Sequence, residues 1–397
     1  MSKILVVSGE PSGDAFASGL ISSLKKTGEN INIYAMGGEN CRKAGAELIA
    51  DIKELSVMGF VEVLFKLKDI KKILNRLFEW IKLNEPAAII LTDFPSFNFK
   101  IAKFANQFNI PVVYYIPPKI WASRYGRIKF IKKYVKLVIT IFPFEQNIYE
   151  KEGVKSYYFG NPLYVLHNED MKASKIKEGK KENKEEGEKE INLKGKYPVI
   201  TILPGSRKTE LKYHSKRIIK SIILIKKFYK DAFFIFPFRK EIDSSYFGSA
   251  LKNSGKISGN WYAFTDSVGF AFSSSDLIIA ASGTASLEAC FYEKPVIIFY
   301  YLNYLTYILA KILVKIKYAG LINILAGDFV VPELIESKFK PKNVFKEADK
   351  FLKEKDYRKS VVNKVSLVVS TLDKGVDPFD SAASVIYDNI LKNLKNV

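Results

Sequence analysis

The strongest constraint on this chain is an alternation of short runs, apolar at nearly every position, with longer amphipathic segments. The runs fall at 3–8, 32–36, 87–92, 112–116, 137–141 and 157–159, and again at 199–203, 232–237, 277–280 and 296–300. A strand that is apolar on both sides must be covered on both faces, and strands alternating with helices build parallel sheets between helical layers. Between the two series lies 169–196, rich in Lys and Glu, with little apolar content beyond Met171, Ile176, Ile191 and Leu193. Whether charged helix or solvated loop, such a stretch adds little core. The expected fold is α/β, with two doubly wound Rossmann-like domains facing a cleft. The first spans 1–168, the charged linker 169–196 and the second domain 197–375; a tail helix, 376–397, is expected to pack across the domains.

Composition narrows the function. With 48% hydrophobic and 14% aromatic residues among 397, disorder is excluded for most of the chain. Two cysteines, Cys41 and Cys290, provide neither a disulfide framework nor a CxxC metal site. Two histidines, His167 and His214, leave a His-rich metal centre or a serine-type triad without residues. No metal and no cofactor are expected. The net charge of +20 is spread over both halves, +8 over 1–166 and +11 over 197–397. That implies attraction to phosphorylated substrates or an anionic membrane surface. No recognised nucleic-acid module accompanies it, so no nucleic-acid partner is expected. The first eight residues are too short an apolar run for a signal peptide. The stretch 295–310, interrupted by Asn303, falls below the ~20 residues needed to span a bilayer. The expectation is a cytoplasmic protein that does not span a membrane.

Ligands of doubly wound folds bind beyond the carboxyl ends of the strands, so the residues following each run carry the functional signal. After the first run comes Ser8-Gly9-Glu10-Pro11-Ser12-Gly13-Asp14, whose glycines and serines let backbone N–H groups approach a polar ligand; a plain tight turn is the alternative. After the third comes Thr92-Asp93-Phe94-Pro95-Ser96-Phe97-Asn98. An Asp wedged among aromatics at a buried strand end is partly desolvated, which suits a general base; the alternative is a helix N-cap. In the second domain, Leu203-Pro204-Gly205-Ser206-Arg207-Lys208 offers backbone donors, a guanidinium fork and a helix N-terminus, suited to a diphosphate, or else forms a solvated basic loop. Ala281-Ser282-Gly283-Thr284-Ala285-Ser286-Leu287-Glu288 opens a further helix. Glu288, about one turn in, is placed to bond a ribose diol, against the alternative of a simple cap at Ser282 or Thr284.

Together these motifs resemble the lipid-A-disaccharide synthase family. The segments that carry the likeness are SGEPSGD at 8–14, TDFPSFN at 92–98, PPKIWASRYGRI at 117–128 and ITIFPFEQNIYEKEGV at 139–154. ILPGSRKTE at 202–210, ASGTASLEA at 281–289 and the stretch 305–335 containing NILAG complete them. The resemblance implies a two-domain GT-B glycosyltransferase. Its family transfers 2,3-diacylglucosamine from a UDP-linked donor to 2,3-diacylglucosamine 1-phosphate, without a metal, at the inner face of the cytoplasmic membrane. It further implies that Asp93 is the base, that Arg207, Gly205 and Ser206 hold the donor diphosphate, and that Ser282, Gly283, Thr284, Glu288 and Asn323 complete the nucleotide side. Ser8, Gly9, Glu10, Ser12, Gly13, Asp14 and Asn98 fall on the acceptor side. A homo-oligomer is left open.

Three departures stand out. The family's aspartate in its P-D-F-N segment is Ser96 here, its G-H-P reads Gly160-Asn161-Pro162, and its S-L-P-N reads Gly320-Leu321-Ile322-Asn323. Asp93 therefore bears the base assignment alone. Rival readings are another UDP-N-acetylglucosamine-using transferase or epimerase of the same fold, and a non-catalytic binder of anionic membranes or nucleic acid. Acylated substrates also need an apolar entrance. The segment 57–78 places Val63, Leu67, Ile70, Leu74 and Leu77 on one helical stripe, widened by Met58, Phe60 and Leu64 and ringed by Lys and Arg. The competing account packs the same stripe on the sheet. The stretch 300–317 is a weaker second candidate.

Overall fold

Each half of the chain builds its own parallel sheet. The computed structural model describes residues 2–27, 31–55, 63–168, 191–205, 208–237, 249, 251, 261–265, 267–302 and 317–392, with 55, 63–67 and 208 described by backbone alone. By its internal contacts the chain divides into one unit of Met1–Val165 with Leu372–Val397, and another of Leu166–Thr371. The linker stretch 169–190 lies outside the described residues.

The first unit holds seven strands: β1 (Ser2–Ser8), β2 (Ile31–Gly37), β3 (Glu47–Asp51), β4 (Ala88–Thr92), β5 (Val112–Tyr115), β6 (Leu137–Thr140) and β7 (Ser156–Tyr158). Their order is β3-β2-β1-β4-β5-β6-β7, every pair parallel. The continuous apolar runs are explained by position: Ile4 to Val7 and Ile89 to Leu91 are wholly buried between helical layers. The chain fills one side of β1 with β2 and β3, then crosses to the other side with β4, leaving a topological switch point between β1 and β4. There Ser8 pairs with Thr92.

The second unit repeats the plan with β8 (Val199–Leu203), β9 (Phe233–Pro237), β10 (Tyr262–Thr265), β11 (Leu277–Ala281), β12 (Val296–Tyr300) and β13 (Glu333–Ile335). The order β10-β9-β8-β11-β12-β13 puts its switch point between β8 and β11, where Leu203 pairs with Ala280. Strands β3, β10 and β13 were not among the apolar runs. All three are sheet edges, and their residues are mostly half-exposed.

The C-terminal segment is part of the first unit. Asp377 caps helix Pro378–Ile386, accepting from the N–H groups of Phe379 (2.7 Å) and Asp380 (3.0 Å). Asp380 in turn accepts from Ser23 Oγ at 2.6 Å on helix Pro11–Lys26. The Phe379 ring lies so close to Gly19 that a Cβ there would stand 2.4 Å from it.

Helix Val63–Asn84 corrects part of the acyl-entrance expectation. Ile73, Leu74, Leu77 and Ile81 are buried in the core and Ile70 packs against it, so the described part of the stripe faces the sheet. Burial follows from the helical spacing itself, which turns one face of an amphipathic helix onto the sheet it crosses. Met58 and Phe60 lie outside the described residues, as do the side chains of Val63, Leu64 and Leu67. Among the described residues no helix is long and apolar enough to cross a membrane.

Candidate active site

The four junctions meet in pairs, because each pair flanks one of the two switch points. In the first unit, Gly9 follows β1 and Phe94 follows β4, and a Cβ at Gly9 would stand 2.3 Å from the Phe94 ring. Only glycine permits that approach.

The backbone here is strained. Asp93 (φ +46°), Phe94 (φ +42°) and the β-branched Ile116 (φ +62°) all occupy the left-handed region, and the Asp93 N–H donates to the Ile116 carbonyl at 3.0 Å. Each such residue costs on the order of 1–3 kcal/mol, and such strain persists where surrounding structure over-determines it. The over-determination is visible: the Asp93 carbonyl accepts from Asn98 Nδ2 and from Tyr114 Oη, both at 2.7 Å. Helix Pro95–Ala105 takes Phe94 as its N-cap and no side chain caps it, so the Asp93 carboxylate is not the cap the sequence left open. Burial pushes the Asp93 carboxyl above its ordinary pKa, while the Lys119 charge and the Phe94 N–H draw it back toward ionisation.

The remaining residues expected on the acceptor side divide. Asn98 is wholly buried, donating to the Thr92 carbonyl (3.2 Å) and to Asp93. Asp14 is also buried. Its carboxylate accepts from the N–H groups of Gly38 (2.6 Å), Asn40 (3.1 Å) and Cys41 (3.2 Å), so it secures the loop after β2 rather than reaching outward. Ser8 is buried and donates to the Met36 carbonyl, and Gly13 is buried. Glu10 is half-exposed at the helix N-cap, and Ser12 and Ser96 are exposed. Asn161 is buried, donating to the Ile141 carbonyl (3.0 Å) and accepting from the Leu163 N–H (2.9 Å).

Sequence reasoning did not single out the groups that follow β5 and β6. Lys119 acts on Asp93 and also on Glu145, an almost wholly buried carboxyl on helix Pro143–Lys151. Glu145 accepts from Trp121 Nε1 (2.8 Å) and from the N–H groups of Ile141 (3.3 Å) and Phe142 (3.2 Å), yet burial outweighs these donors and pushes it up to about 7. The only visible signal was membership of the PPKIW and FPFEQ segments.

In the second unit, Gly205 (φ +121°) follows β8, and a Cβ there would stand 2.7 Å from Glu210 Oε2. Ser206 and Arg207 lie outside the described residues; helix Lys208–Phe228 begins directly after them. His214 bridges the ends of β8 and β12: Nδ1 donates to the Pro204 carbonyl (2.6 Å) and Nε2 accepts from the Tyr301 N–H (3.1 Å). Burial lowers its pKa, and both ring nitrogens are used in holding the turn. Ser282 donates to the Ala319 carbonyl at 2.8 Å, Gly283 and Thr284 are exposed, and Glu288 is half-buried on helix Thr284–Cys290.

Asn323 differs from the expectation. It is wholly buried, with Oδ1 accepting from Val330 and Val331 N–H (2.8 and 2.9 Å) and Nδ2 donating to the Val331 carbonyl (2.9 Å) and Glu333 Oε1 (2.8 Å). Its side chain has no capacity left for a nucleotide. It holds Glu333, whose carboxylate accepts from Ala319 (2.9 Å) and Gly320 (2.8 Å) and so fixes the turn that Ser282 bonds.

Over residues 4–384 the sequence matches the family model described as lipid-A-disaccharide synthetase. The chain belongs to the lipid-A-disaccharide synthase family. A lipid-A-disaccharide synthase of Coxiella burnetii is 30% identical over 98% of both chains, and lipid-A-disaccharide synthase 1 of Legionella pneumophila is 32% identical over 94% of this chain and 93% of its own. Among solved structures, the chain resembles the UDP-GlcNAc 2-epimerase of Neisseria meningitidis bound to UDP-GlcNAc (TM-score 0.65, 15% identity, 98% of this chain and 100% of that one). It also resembles MurG of Acinetobacter baumannii (TM-score 0.56, 12% identity, 98% and 100%). At such identities the likeness shows the fold, which is of the GT-B type. As a lipid-A-disaccharide synthase family member, the protein is a glycosyltransferase of lipid A biosynthesis.

Proposed function

We propose that the enzyme transfers 2,3-diacylglucosamine from UDP-2,3-diacylglucosamine to the 6-hydroxyl of 2,3-diacylglucosamine 1-phosphate, giving the β-1,6-linked disaccharide 1-phosphate and UDP. Asp93 takes the proton from the acceptor hydroxyl as that oxygen bonds the donor anomeric carbon. The bond to the diphosphate breaks with its electron pair leaving on UDP, and one displacement of this kind inverts the anomeric centre. Arg207, with Ser206 and the Gly205 backbone at the start of the following helix, neutralises the growing charge on the diphosphate. Glu288, Ser282, Gly283 and Thr284 serve the nucleotide side. The enzyme acts at the inner face of the cytoplasmic membrane, where acylated substrates reside, with Met58, Phe60, Val63, Leu64 and Leu67 as the apolar entrance.

The observation that supports this reading most is Asp93 itself: a partly buried carboxyl, on strained and multiply bonded backbone, at a switch point. Mass spectrometry of products from defined acylated donor and acceptor tests it. The expected product is the tetraacyl disaccharide 1-phosphate with one equivalent of UDP. Turnover of UDP-N-acetylglucosamine without an acylated acceptor would replace this reading with that of an epimerase or another transferase.

A further inference from the structure

The chain draws its positive charge from lysine: of 62 basic residues, 54 are Lys and 8 are Arg. Arg is therefore the exception on this surface, and two of the eight stand three residues apart in the connection after β5. The Arg127 N–H donates to the Arg124 carbonyl at 3.0 Å, and Arg124 is exposed on left-handed backbone (φ +57°). Arg127 opens helix Arg127–Tyr134, and its guanidinium lies 5.6 Å from the centre of the Phe99 ring, which is stacked on Phe130 at 4.3 Å. Arg42 and Arg76 are paired with carboxylates. Among the described residues no ion pair is formed by Arg124, Arg127 or Lys119. The two arginines lie close enough that the charge of Arg124, together with burial, disfavours the charged form of Arg127.

This charge, which no ion pair ties down, adjoins the proposed base. Tyr114, on which the Arg127 charge acts, donates to the Asp93 carbonyl at 2.7 Å, and Lys119, in the same connection, acts on Asp93. A dianionic phosphate monoester is the ligand that two guanidinium forks and an ammonium fit, since the fork matches paired phosphate oxygens and the ammonium adds a point charge.

We propose that Lys119, Arg124 and Arg127 bind the phosphate monoester of the acceptor sugar and so select the phosphorylated acceptor. The inference rests on Asp93 being the base, because the base and the acceptor share one site.

The test measures kcat/KM for the acylated acceptor with and without its 1-phosphate, in the wild type and in Arg124→Ala, Arg127→Ala and Arg127→Lys. The wild type should prefer the phosphorylated acceptor. That preference should fall about ten-fold or more in each alanine variant, and less in Arg127→Lys. A preference retained in both alanine variants overturns the proposal, as does a wild type that does not discriminate. In parallel, glucosamine 1-phosphate and glucosamine are titrated into the same proteins. If Asp93→Asn proves fully active, the base reading falls. The phosphate site then stands or falls on whether wild type binds the phosphorylated sugar more tightly than Arg127→Ala does. Arg124 is exposed, so its alanine variant guards against loss of fold.

Discussion

Glu145 should titrate near neutrality, and Trp121 should report it. The carboxyl is almost wholly exclude from solvent, with its ordinary value of 4.5 pushed up to about 7 by burial against the pull of three N–H donors and Lys119. A carboxyl whose folded pKa lies above its unfolded one binds the proton more tightly in the native state. Its contribution to stability is thus complete below about pH 4.5 and is lost as pH rises through about 7. The gap corresponds to about 3 kcal/mol, since each pKa unit is about 1.4 kcal/mol. Urea unfolding at pH 5 and pH 8 should show that decline in the wild type and a flatter dependence in Glu145→Gln. The Gln variant should also be less stable at pH 5, because its amide N–H₂ must face a donor where the acid has an oxygen. The local readout is the indole N–H resonance assigned by Trp121→Phe, which should move with a midpoint near 7 and stay fixed in Glu145→Gln. An indole that does not titrate between roughly pH 5.5 and 8.5 refutes the reasoning. The outcome bears on the proposed base as well, because Lys119 acts on both Glu145 and Asp93.

Arg207→Lys should lower kcat/KM for the UDP donor about ten-fold, since Lys lacks the planar fork; equal values in steady-state kinetics would count against the diphosphate role. Leu74→Ala should lose about 2–5 kcal/mol in urea unfolding, as a core truncation. Leu64→Ser with Leu67→Ser should instead reduce liposome flotation without that loss; the opposite pattern would move the acyl entrance elsewhere. Asp14→Ala should cost about 1.5–3 kcal/mol or more in the same unfolding assay, because three backbone N–H groups lose a charged acceptor.

The sequence made the central strands legible because burial on both faces forces continuous apolar runs. Edge strands carry less of that pressure, and β3, β10 and β13 went unread, although the edge strand β7 showed in the run 157–159. The strand-end motifs were legible because glycine, serine and aspartate at a strand-to-helix turn are conspicuous whatever their role. Role was the harder part. Asp14 and Asn323 looked like ligand groups, but their side chains are bonded to the backbone of Gly38 to Cys41, and to the backbone of Val330 and Val331 with the Glu333 carboxylate, partners that tertiary folding alone supplies. Helical spacing could not say which way Leu74 faced. The return of the C-terminal helix to the first unit joins residues as far apart as Ser23 and Asp380, 357 positions in sequence, which no local pattern can show.

The central claim is that Asp93 is the base for glycosyl transfer, and Asp93→Asn tests it most directly. Asn tolerates left-handed backbone better than most residues, so the strained turn survives the change while the proton acceptor is lost. The measurement is kcat for disaccharide formation from defined acylated substrates, with UDP affinity and the thermal transition recorded on the same sample. The account predicts a fall of about 10²–10⁴-fold in kcat with both controls close to wild type. A folded, UDP-binding Asp93→Asn enzyme that turns over at near the wild-type rate would contradict it.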